Sequence, residues 1–354
     1  MIDVDGSSGE GGGQILRTAL ALSSVLKKDV RVHDIRAGRS EPGIKAQHLA
    51  GVRAVARFCG AAVDGDKVGS TVIVYRPRHL IAGEVRIDVG SAGSTTLVLQ
   101  TIMPLLAYCS GPTTVEIVGG TDVKWSPPVD YLRLVALPSL RRMGYTSDLK
   151  TMRRGHYPRG GGEIRLETRP VSRLKGLVGA SVRPGRTARI EGVSHVVNLP
   201  SHIAERQAEA AKNLLIEKGL SSPDITIEHH QSTGLSPGSG LVLSAAIEDA
   251  LVGADRLGDK GKPAEQVGRE AAAELAREVE SGAFLDSHMA DMIVPYMALA
   301  DGISEVSVSR ITQHTLTNVM VAELLCGVKF DVSGKENEPG TLRVEGLGVR
   351  SSPA

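Results

Sequence analysis

A mixed α/β fold is predicted by three features of this 354-residue chain. Its 41 glycines gather where short strand-like runs hand over to apolar helical stretches, the punctuation of strand, turn and helix units. One such unit runs from Met1 to Asp5, through Gly6-Ser7-Ser8-Gly9-Glu10-Gly11-Gly12-Gly13-Gln14, into a helix from Ile15 to about Leu26. It returns as Val85 to Val89, Gly90-Ser91-Ala92-Gly93-Ser94 and a helix from Thr95 to about Tyr108, so the chain contains internal repeats. The third feature is a change of character in the middle of the chain, where charged amphipathic segments replace apolar ones.

The remaining elements follow in order. Val30 to Ile35 with Ile44 to Cys59, and Thr113 to Val118 with Val129 to Met143, keep the strand-then-helix rhythm. In the middle, Arg186 to Val193 reads as a strand, Pro200 to Lys218 as a helix, Ile225 to His230 and Leu241 to Ile247 as two strands, and Pro263 to Glu280 as a long helix. This β-α-β-β-α unit is entered through Gly179 to Gly185 and left through Ser281-Gly282. It is expected to be a smaller inserted α/β domain at 181–280, which leaves 1–180 and 281–354 as one discontinuous domain. In the last unit Ser304 to Ser309 alternates with period two, Val319 to Leu325 is helical, and Thr315 or Thr317 is positioned to cap it. His314 is then expected in the connecting turn.

Composition narrows the class. With 41% hydrophobic and 23% charged residues the chain can bury a substantial core, and length suggests one large domain or two ordinary ones. A formal net charge of +1 means that a polyanion would be held by a local cluster of Arg and Lys. The longest apolar run, Thr96 to Cys109, is short for a bilayer and interrupted by Gln100, and no basic segment with an apolar stretch begins the chain. The expectation is a cytoplasmic protein with no membrane association. Cys59, Cys109 and Cys326 lack ligand spacing and read as buried small residues, not as zinc ligands.

Candidate chemistry lies in four segments. At Gly9 to Gln14, glycines let backbone amides approach an anion at a helix start, and Arg17 follows about one turn later; the same residues also suit an ordinary tight turn. The segment lacks the Lys-Ser/Thr of a P-loop and the third glycine of a dinucleotide fingerprint. Glu10 suits a divalent cation or a basic side chain. At Arg36-Ala37-Gly38-Arg39, with Lys45, Gln47 and His48 beyond, two arginines can fork onto phosphate oxygens; the same residues also suit ordinary loop solvation and carboxylate pairing. Arg154 to Glu163 carries three successive glycines that require a turn with unusual backbone angles, and His156 within it reads as a structural hydrogen-bonder. His229 and His230 lack acidic or cysteine partners at ligand spacing, so surface or packing roles are favoured. In Gln313-His314-Thr315, a neutral imidazole can attack phosphorus while the positive helix end disfavours its protonation and stabilises phosphoryl charge; a histidine near a helix start also suits a cap or a half-buried side chain.

These residues together resemble the RNA 3′-terminal phosphate cyclase family: Gly9 to Gln14 with Arg17, Arg36 to Arg39, Gly90 to Ser94 with Gln100, Arg154 to Gly162, and Gln313 to Thr315 with Thr317-Asn318. The resemblance spans nearly the whole chain. It implies a large domain of three repeated βαβα-type units resembling a translation initiation factor's C-terminal domain, with the small insert. It also implies ATP-dependent conversion of an RNA 3′-terminal phosphate to a 2′,3′-cyclic phosphodiester, through a histidyl-AMP on His314 and an RNA-adenylate, with Mg2+ or Mn2+. By the same resemblance Gln100, Pro127, His288, Met289, Ala290, Asp291 and Met292 match nucleotide-binding positions. Arg17, Arg36, Arg39 and Gln47 match the phosphate pocket, and Glu10 matches a metal-site position. The chain departs from the family at His288, where an aromatic that stacks on adenine is common, and at Met292, where glutamine is usual.

Few aromatics make extensive stacking along RNA improbable, so the terminal phosphate and adjacent backbone are the expected points of recognition. On the 200–218 helix, Arg206, Lys212 and Lys218 alternate with Glu205, Glu209 and Glu217 and read as a solvated face. Two other classes share features. A non-catalytic cyclase-like RNA-binding protein of ribosome assembly is expected to lack the nucleophilic histidine, and a sugar-ring transferase of repeated units would not need His314 in a Gln-His-Thr segment.

Overall fold

Three sheets of the computed structural model share one plan, and the structure describes residues 1–182, 188–231 and 233–351. In the first unit β1 (Ile2–Asp5), α1 (Gly13–Leu26), β2 (Val30–His33), α2 (Ala46–Cys59), β3 (Ala62–Asp64) and β4 (Ile73–Arg76) give the sheet order β1-β2-β4-β3. Strands β1 and β2 are parallel, joined across α1, and the β3–β4 hairpin closes the sheet antiparallel.

The second unit repeats this with β5 (Gly83–Asp88), α3 (Thr95–Leu106), β6 (Thr113–Gly119), a helix in three parts, β7 (Ser147–Arg153) and β8 (Gly162–Thr168). The helix runs from α4 (Val129–Tyr131) through a π-helical turn at Leu132–Ala136 into α5 (Leu137–Arg142). The order β5-β6-β8-β7, with β5 and β6 parallel, matches the first sheet strand for strand.

Strand β9 (Val178–Gly179) opens a third such sheet, but the chain leaves it at once. It forms β10 (Arg189–Val197), α6 (His202–Glu217), β11 (Asp224–His230), β12 (Gly238–Ile247), β13 (Ala250–Leu257) and α7 (Ala264–Glu280), with sheet order β11-β10-β12-β13. The chain then returns through α8 (Ser287–Leu299), β14 (Asp301–Val308), α9 (Gln313–Cys326), β15 (Phe330–Ser333) and β16 (Gly340–Leu347). Strand β14 pairs parallel with β9 and antiparallel with β16, which restores the common plan.

Burial follows the sheets. One apolar cluster from Val4 to Val344 runs through the three repeated units, and a second, from Ala188 to Val279, fills the space between the β10–β13 sheet, α6 and α7. Alanine and leucine make up most of the second core, and on α6 the charged face turns outward, where Arg206 pairs with Glu265 of α7 at 2.6 Å. All three cysteines are free and buried. Among the described residues no helix is long and apolar enough to cross a membrane.

The structure redraws several sequence boundaries. Helix α9 begins at Gln313, six residues before the apolar stretch, because Thr312 caps it and polar Thr315, Thr317 and Asn318 are buried against α1 and α8. Its cap is therefore neither Thr315 nor Thr317. The middle unit has a third consecutive strand, β13, whose Asp255 and Arg256 mask its apolar start. The strand expected from Arg186 is described only from Arg189, since residues 183–187 lie outside the described chain. His230 does have an acidic partner, Glu228, at 3.0 Å, because alternate residues of β11 share a face.

Arg154 joins the second unit to the β10–β13 sheet. Its guanidinium is 1% exposed and lies 3.2 Å from Asp122, 2.6 Å from Asp130 and 2.7 Å from Glu228 of β11. Removing a single member of a buried ionic network leaves uncompensated charge and is strongly destabilising. Arg154→Met is predicted to lower unfolding stability by about 3–5 kcal/mol in urea titration; a loss below about 1 kcal/mol would show that the carboxylates are otherwise satisfied.

Candidate active site

The loops that leave β1, β2, β5, β6 and β14 at their C-terminal ends carry the glycine-, arginine- and histidine-bearing segments. In open α/β sheets ligands collect at such ends. The starts of α1 and α9 meet there, although nearly 300 residues separate them. Gln14 Nε2 donates to His314 O at 3.3 Å, Thr18 Oγ1 donates to Asn318 Oδ1 at 2.6 Å, and the Glu10 amide donates to Thr317 Oγ1 at 3.1 Å. Gly9 sits at φ +55°, and a Cβ there would lie 2.4 Å from Thr317 Oγ1, so both conformation and space demand glycine.

This packing brings Glu10 Oε2 to 3.0 Å from His314 Nδ1. A carboxylate only accepts, so Nδ1 carries the hydrogen, and in the neutral ring the lone pair is left on Nε2. The His314 side chain is 48% exposed, so it remains open to a ligand. The other Glu10 oxygen contacts the Arg39 guanidinium. His314 is the second residue of α9 and does not lie in the turn ahead of it. Thr312 Oγ1 accepts from the Thr315 amide at 3.0 Å, and buried Asp291 accepts from the hydroxyls of Thr312 and Thr315, each at 2.5 Å. No side chain caps α1, whose first amides follow the glycine loop. The helix start best prepared for an anion is thus that of α1, facing His314's own helix.

Electrostatics reverse one sequence expectation. The hydrogen bond to Glu10 raises His314 above the usual histidine value; desolvation and Arg17 oppose this, while the charges of Glu10 and Asp291 reinforce it. The helix end does not win, because a charged partner at 3.0 Å outweighs a partial dipole charge. Partial burial pushes the Glu10 carboxyl up, but His314, Arg39 and Arg17 outweigh it and hold Glu10 below its ordinary value. Burial pulls Arg17 down to about 10, which still leaves it cationic near neutral pH.

The other arginines differ in what they have free. Arg36 adopts φ +57° and donates to the carbonyls of Glu41 (2.8 Å) and Gly43 (2.9 Å), closing its own loop. Arg39 is exposed and reaches across to Glu10. Gln47 Oε1 accepts from the Ser94 amide at 3.2 Å, tying the start of α2 to the β5 loop. Its neighbour His48, which the sequence groups with Arg36, Arg39, Lys45 and Gln47 in the candidate phosphate cluster, is buried with Nδ1 accepting from the Lys45 amide at 3.2 Å. Burial, then Arg17, Arg36 and Lys45, pull His48 down to about 3, so its ring is neutral and Nε2 carries the hydrogen. A Cβ on Gly13 would lie 2.1 Å from that nitrogen, which places this donor at the start of α1.

The nucleotide-matching positions spread over a wider area. Gln100 is half-buried on α3, and the Pro127 carbonyl accepts from Thr96 Oγ1 at 2.7 Å. On α8, Met289 and Ala290 have no exposed surface, Met292 is half-buried, and Asp291 clamps the start of α9, with burial raising its carboxyl. His288 is the exposed member, its ring 6.0 Å from that of Tyr131 in an edge-on arrangement. Desolvation lowers His288, but Asp286, Asp255, Asp291 and Glu274 prevail and raise it. The structure thus groups Glu10, Arg17, Arg39 and His314 directly, with Gln47 next in sequence to His48, which reaches the start of α1. A surface cavity of about 550 Å³ between α6 and β11 includes none of these residues.

Residues 8–332 match the family described as RNA 3′-terminal phosphate cyclase. Proteins named RNA 3′-terminal phosphate cyclase are similar along their whole length. That of Ignicoccus hospitalis is 48% identical over 351 residues, covering 98% of this chain and 99% of its own. That of Methanopyrus kandleri is 47% identical over 348 residues (97% and 98%), and that of Pyrococcus furiosus 45% over 344 residues (97% and 98%). Among solved structures, the enolpyruvyl transferase NikO from Streptomyces tendae aligns with 99% of this chain and 50% of its own at a TM-score of 0.42 and 12% identity, too distant to bear on fold or function.

In metal-free protein the His314 ring is predicted to titrate above the ordinary histidine value, and Glu10→Gln to bring it down, since the carboxylate favours the charged ring. Ring-proton NMR across pH checks both. A wild-type His314 titrating at or below the ordinary value would contradict the assigned contact.

Proposed function

The chain belongs to the RNA 3′-terminal phosphate cyclase family, and on that footing we propose that it cyclises RNA 3′-terminal phosphates with ATP, using His314 as the nucleophile. The observation that carries the residue assignment is the Glu10–His314 contact, which leaves Nε2 as the free nitrogen of the neutral ring. In the first step Nε2 attacks the α-phosphorus of ATP. An N–P bond forms, the bond from the α-phosphorus to the bridging oxygen breaks, and pyrophosphate leaves with the electron pair. In the second step an oxygen of the RNA 3′-phosphate attacks that phosphorus, the N–P bond breaks, and AMP passes to the RNA end. The adjacent 2′-hydroxyl then attacks the activated 3′-phosphorus, loses its proton and expels AMP, closing the 2′,3′-cyclic phosphodiester.

Each protein group has a physical task in this scheme. Glu10 is a positioning residue for the imidazole, holding its tautomer and ring orientation. Arg17 and Arg39 supply positive charge beside the reacting phosphates, and the uncapped α1 amides with the His48 N–H supply neutral donors. Holding the 2′-hydroxyl next to an activated phosphorus converts a collision into an intramolecular step. Gln100, Pro127, His288 and Met292 are the positions through which the adenine would be held; the exposed imidazole of His288 offers a smaller stacking face than a larger aromatic ring. A Mg2+ or Mn2+ ion fits here as well: such ions bind through one or two carboxylates plus substrate phosphates, and Glu10 offers one carboxylate at the phosphate end. When bound, that ion would neutralise triphosphate charge.

We further assign 1–180 and 281–354 to the catalytic domain and 181–280 to an inserted domain, and place the protein in the cytoplasm.

Incubation with ATP labelled at the α-phosphate is predicted to put acid-labile, alkali-stable label on the wild-type chain and none on His314→Ala; undiminished label in the variant would remove His314 from the role. Arg39→Ala is predicted to slow AMP transfer at least tenfold with less than about 0.5 kcal/mol of lost stability, since an exposed ion pair contributes little. Parallel losses of rate and thermal stability would indicate a structural role instead.

A further inference from the structure

The chain has ten aromatic residues, and the three phenylalanines and five of the six tyrosines are buried. The remaining two are left in water: Trp125 is 96% exposed and Tyr157 is 77% exposed. Full exposure of so large an apolar surface is opposed by the hydrophobic effect, and bulky aromatics normally give their area to a core or a partner. Trp125 also sits at φ +67°, a left-handed conformation that large side chains rarely adopt, so its loop holds it outward against a local preference.

Both residues ride on loops that are fastened to one another. Trp125 lies in the loop that follows β6, and Tyr157 in the loop between β7 and β8. The Thr121 and Asp122 amides both donate to Gly155 O (2.9 and 3.2 Å), the Gly155 amide donates to Thr121 Oγ1 at 2.9 Å, and Arg154 locks against Asp122 beneath them. The same pair of loops abuts the active-site periphery. A Cβ on Gly160 would lie 2.8 Å from Ala92 Cα, Pro127 O accepts from Thr96 on α3, and the adjoining Ser94 amide holds Gln47. Charge accompanies each aromatic. Arg159 is exposed and makes no side-chain ion pair among the described residues, while Lys124 is exposed and paired with Asp259 at 2.6 Å.

We propose that Trp125 and Tyr157 form a stacking platform for the last bases of the RNA, with Arg159 taking an adjacent backbone phosphate. This rests on the cyclase reading above. A strand whose terminal phosphate enters the site must leave its bases outside it, on the rim where these two rings lie. Two rings on separate, mutually fixed loops suit consecutive bases of a strand, whereas a mononucleotide has only one base to offer. Aromatic stacking is tolerant of sequence, as an enzyme acting on RNA ends in general would require.

Trp125 is the sole tryptophan, so its emission, excited selectively over tyrosine, is a built-in reporter. Titration of the wild-type protein with a 3′-phosphorylated oligoribonucleotide is expected to quench it. The same oligomer with abasic terminal positions, and ATP alone, are expected to quench it far less. Trp125→Ala and Tyr157→Ala are each expected to raise the RNA KM roughly tenfold, with Trp125→Phe recovering part of the loss and label on His314 from ATP alone serving as the internal reference. Unchanged emission at RNA concentrations that saturate cyclisation would overturn the platform and leave the cyclase reading standing. Equal quenching by ATP alone would move Trp125 to the nucleotide's base and overturn it too. Absence of both cyclisation and His314 label would instead defeat the reading on which it rests.

Discussion

The site depends on one long-range contact, the 3.0 Å approach of Glu10 to His314, which joins a loop of the first repeat to a helix of the last. It exists because α1 and α9 start side by side, pinned by Gln14, Thr18, Thr317 and Asn318. Buried polar groups of this kind leave little freedom of register, since sliding one helix would strand several unpaired donors and acceptors. The carboxylate fixes which nitrogen is free, and the same charge makes the ring easier to protonate. Orientation is thus gained at the expense of reactivity at low pH. Nearby cations, Arg17 and Arg39, hold Glu10 ionised and so preserve the arrangement.

Repetition explains how so many groups reach one place. Each βαβα-type unit ends its parallel strands on the same side, and each contributes a loop there: the glycine and arginine loops from the first, the Gly90–Ser94 and Thr121–Pro128 loops from the second, and the Thr312 turn from the third. Insertion of the β10–α7 segment between β9 and α8 leaves the third sheet's pairing intact. The buried Arg154 network anchors that segment to the second unit through Glu228.

Much of this architecture was legible in the sequence where backbone chemistry is strict. The glycine loop before α1, its echo before α3, and the amphipathic α6 and α7 stand out because positive φ and 3.6-residue periodicity restrict residue choice. The hairpins β3–β4, β7–β8 and β15–β16 did not stand out. They are short or charged on their outer faces, and each docks onto its sheet against a strand distant in sequence, β2, β6 or β14. The residues Arg17, Arg39 and His314 could be picked by type and spacing, but not the sign of the His314 shift, which depends on Glu10 arriving from another repeat. Arg154 looked like a loop arginine, and only the folded chain shows it enclosed by three carboxylates. His48 could be grouped with the arginine cluster, but not its neutrality, which comes from burial among cations.

On the proposed function, a glutamate-held imidazole presents Nε2, and not Nδ1, to phosphorus. Nitrogen–phosphorus coupling in NMR of protein labelled with 15N-histidine and reacted with ATP reads this directly. The expected product is a phosphoramidate whose phosphorus couples through Nε2 of His314. Coupling through Nδ1, or a phosphoramidate on another histidine, would contradict it.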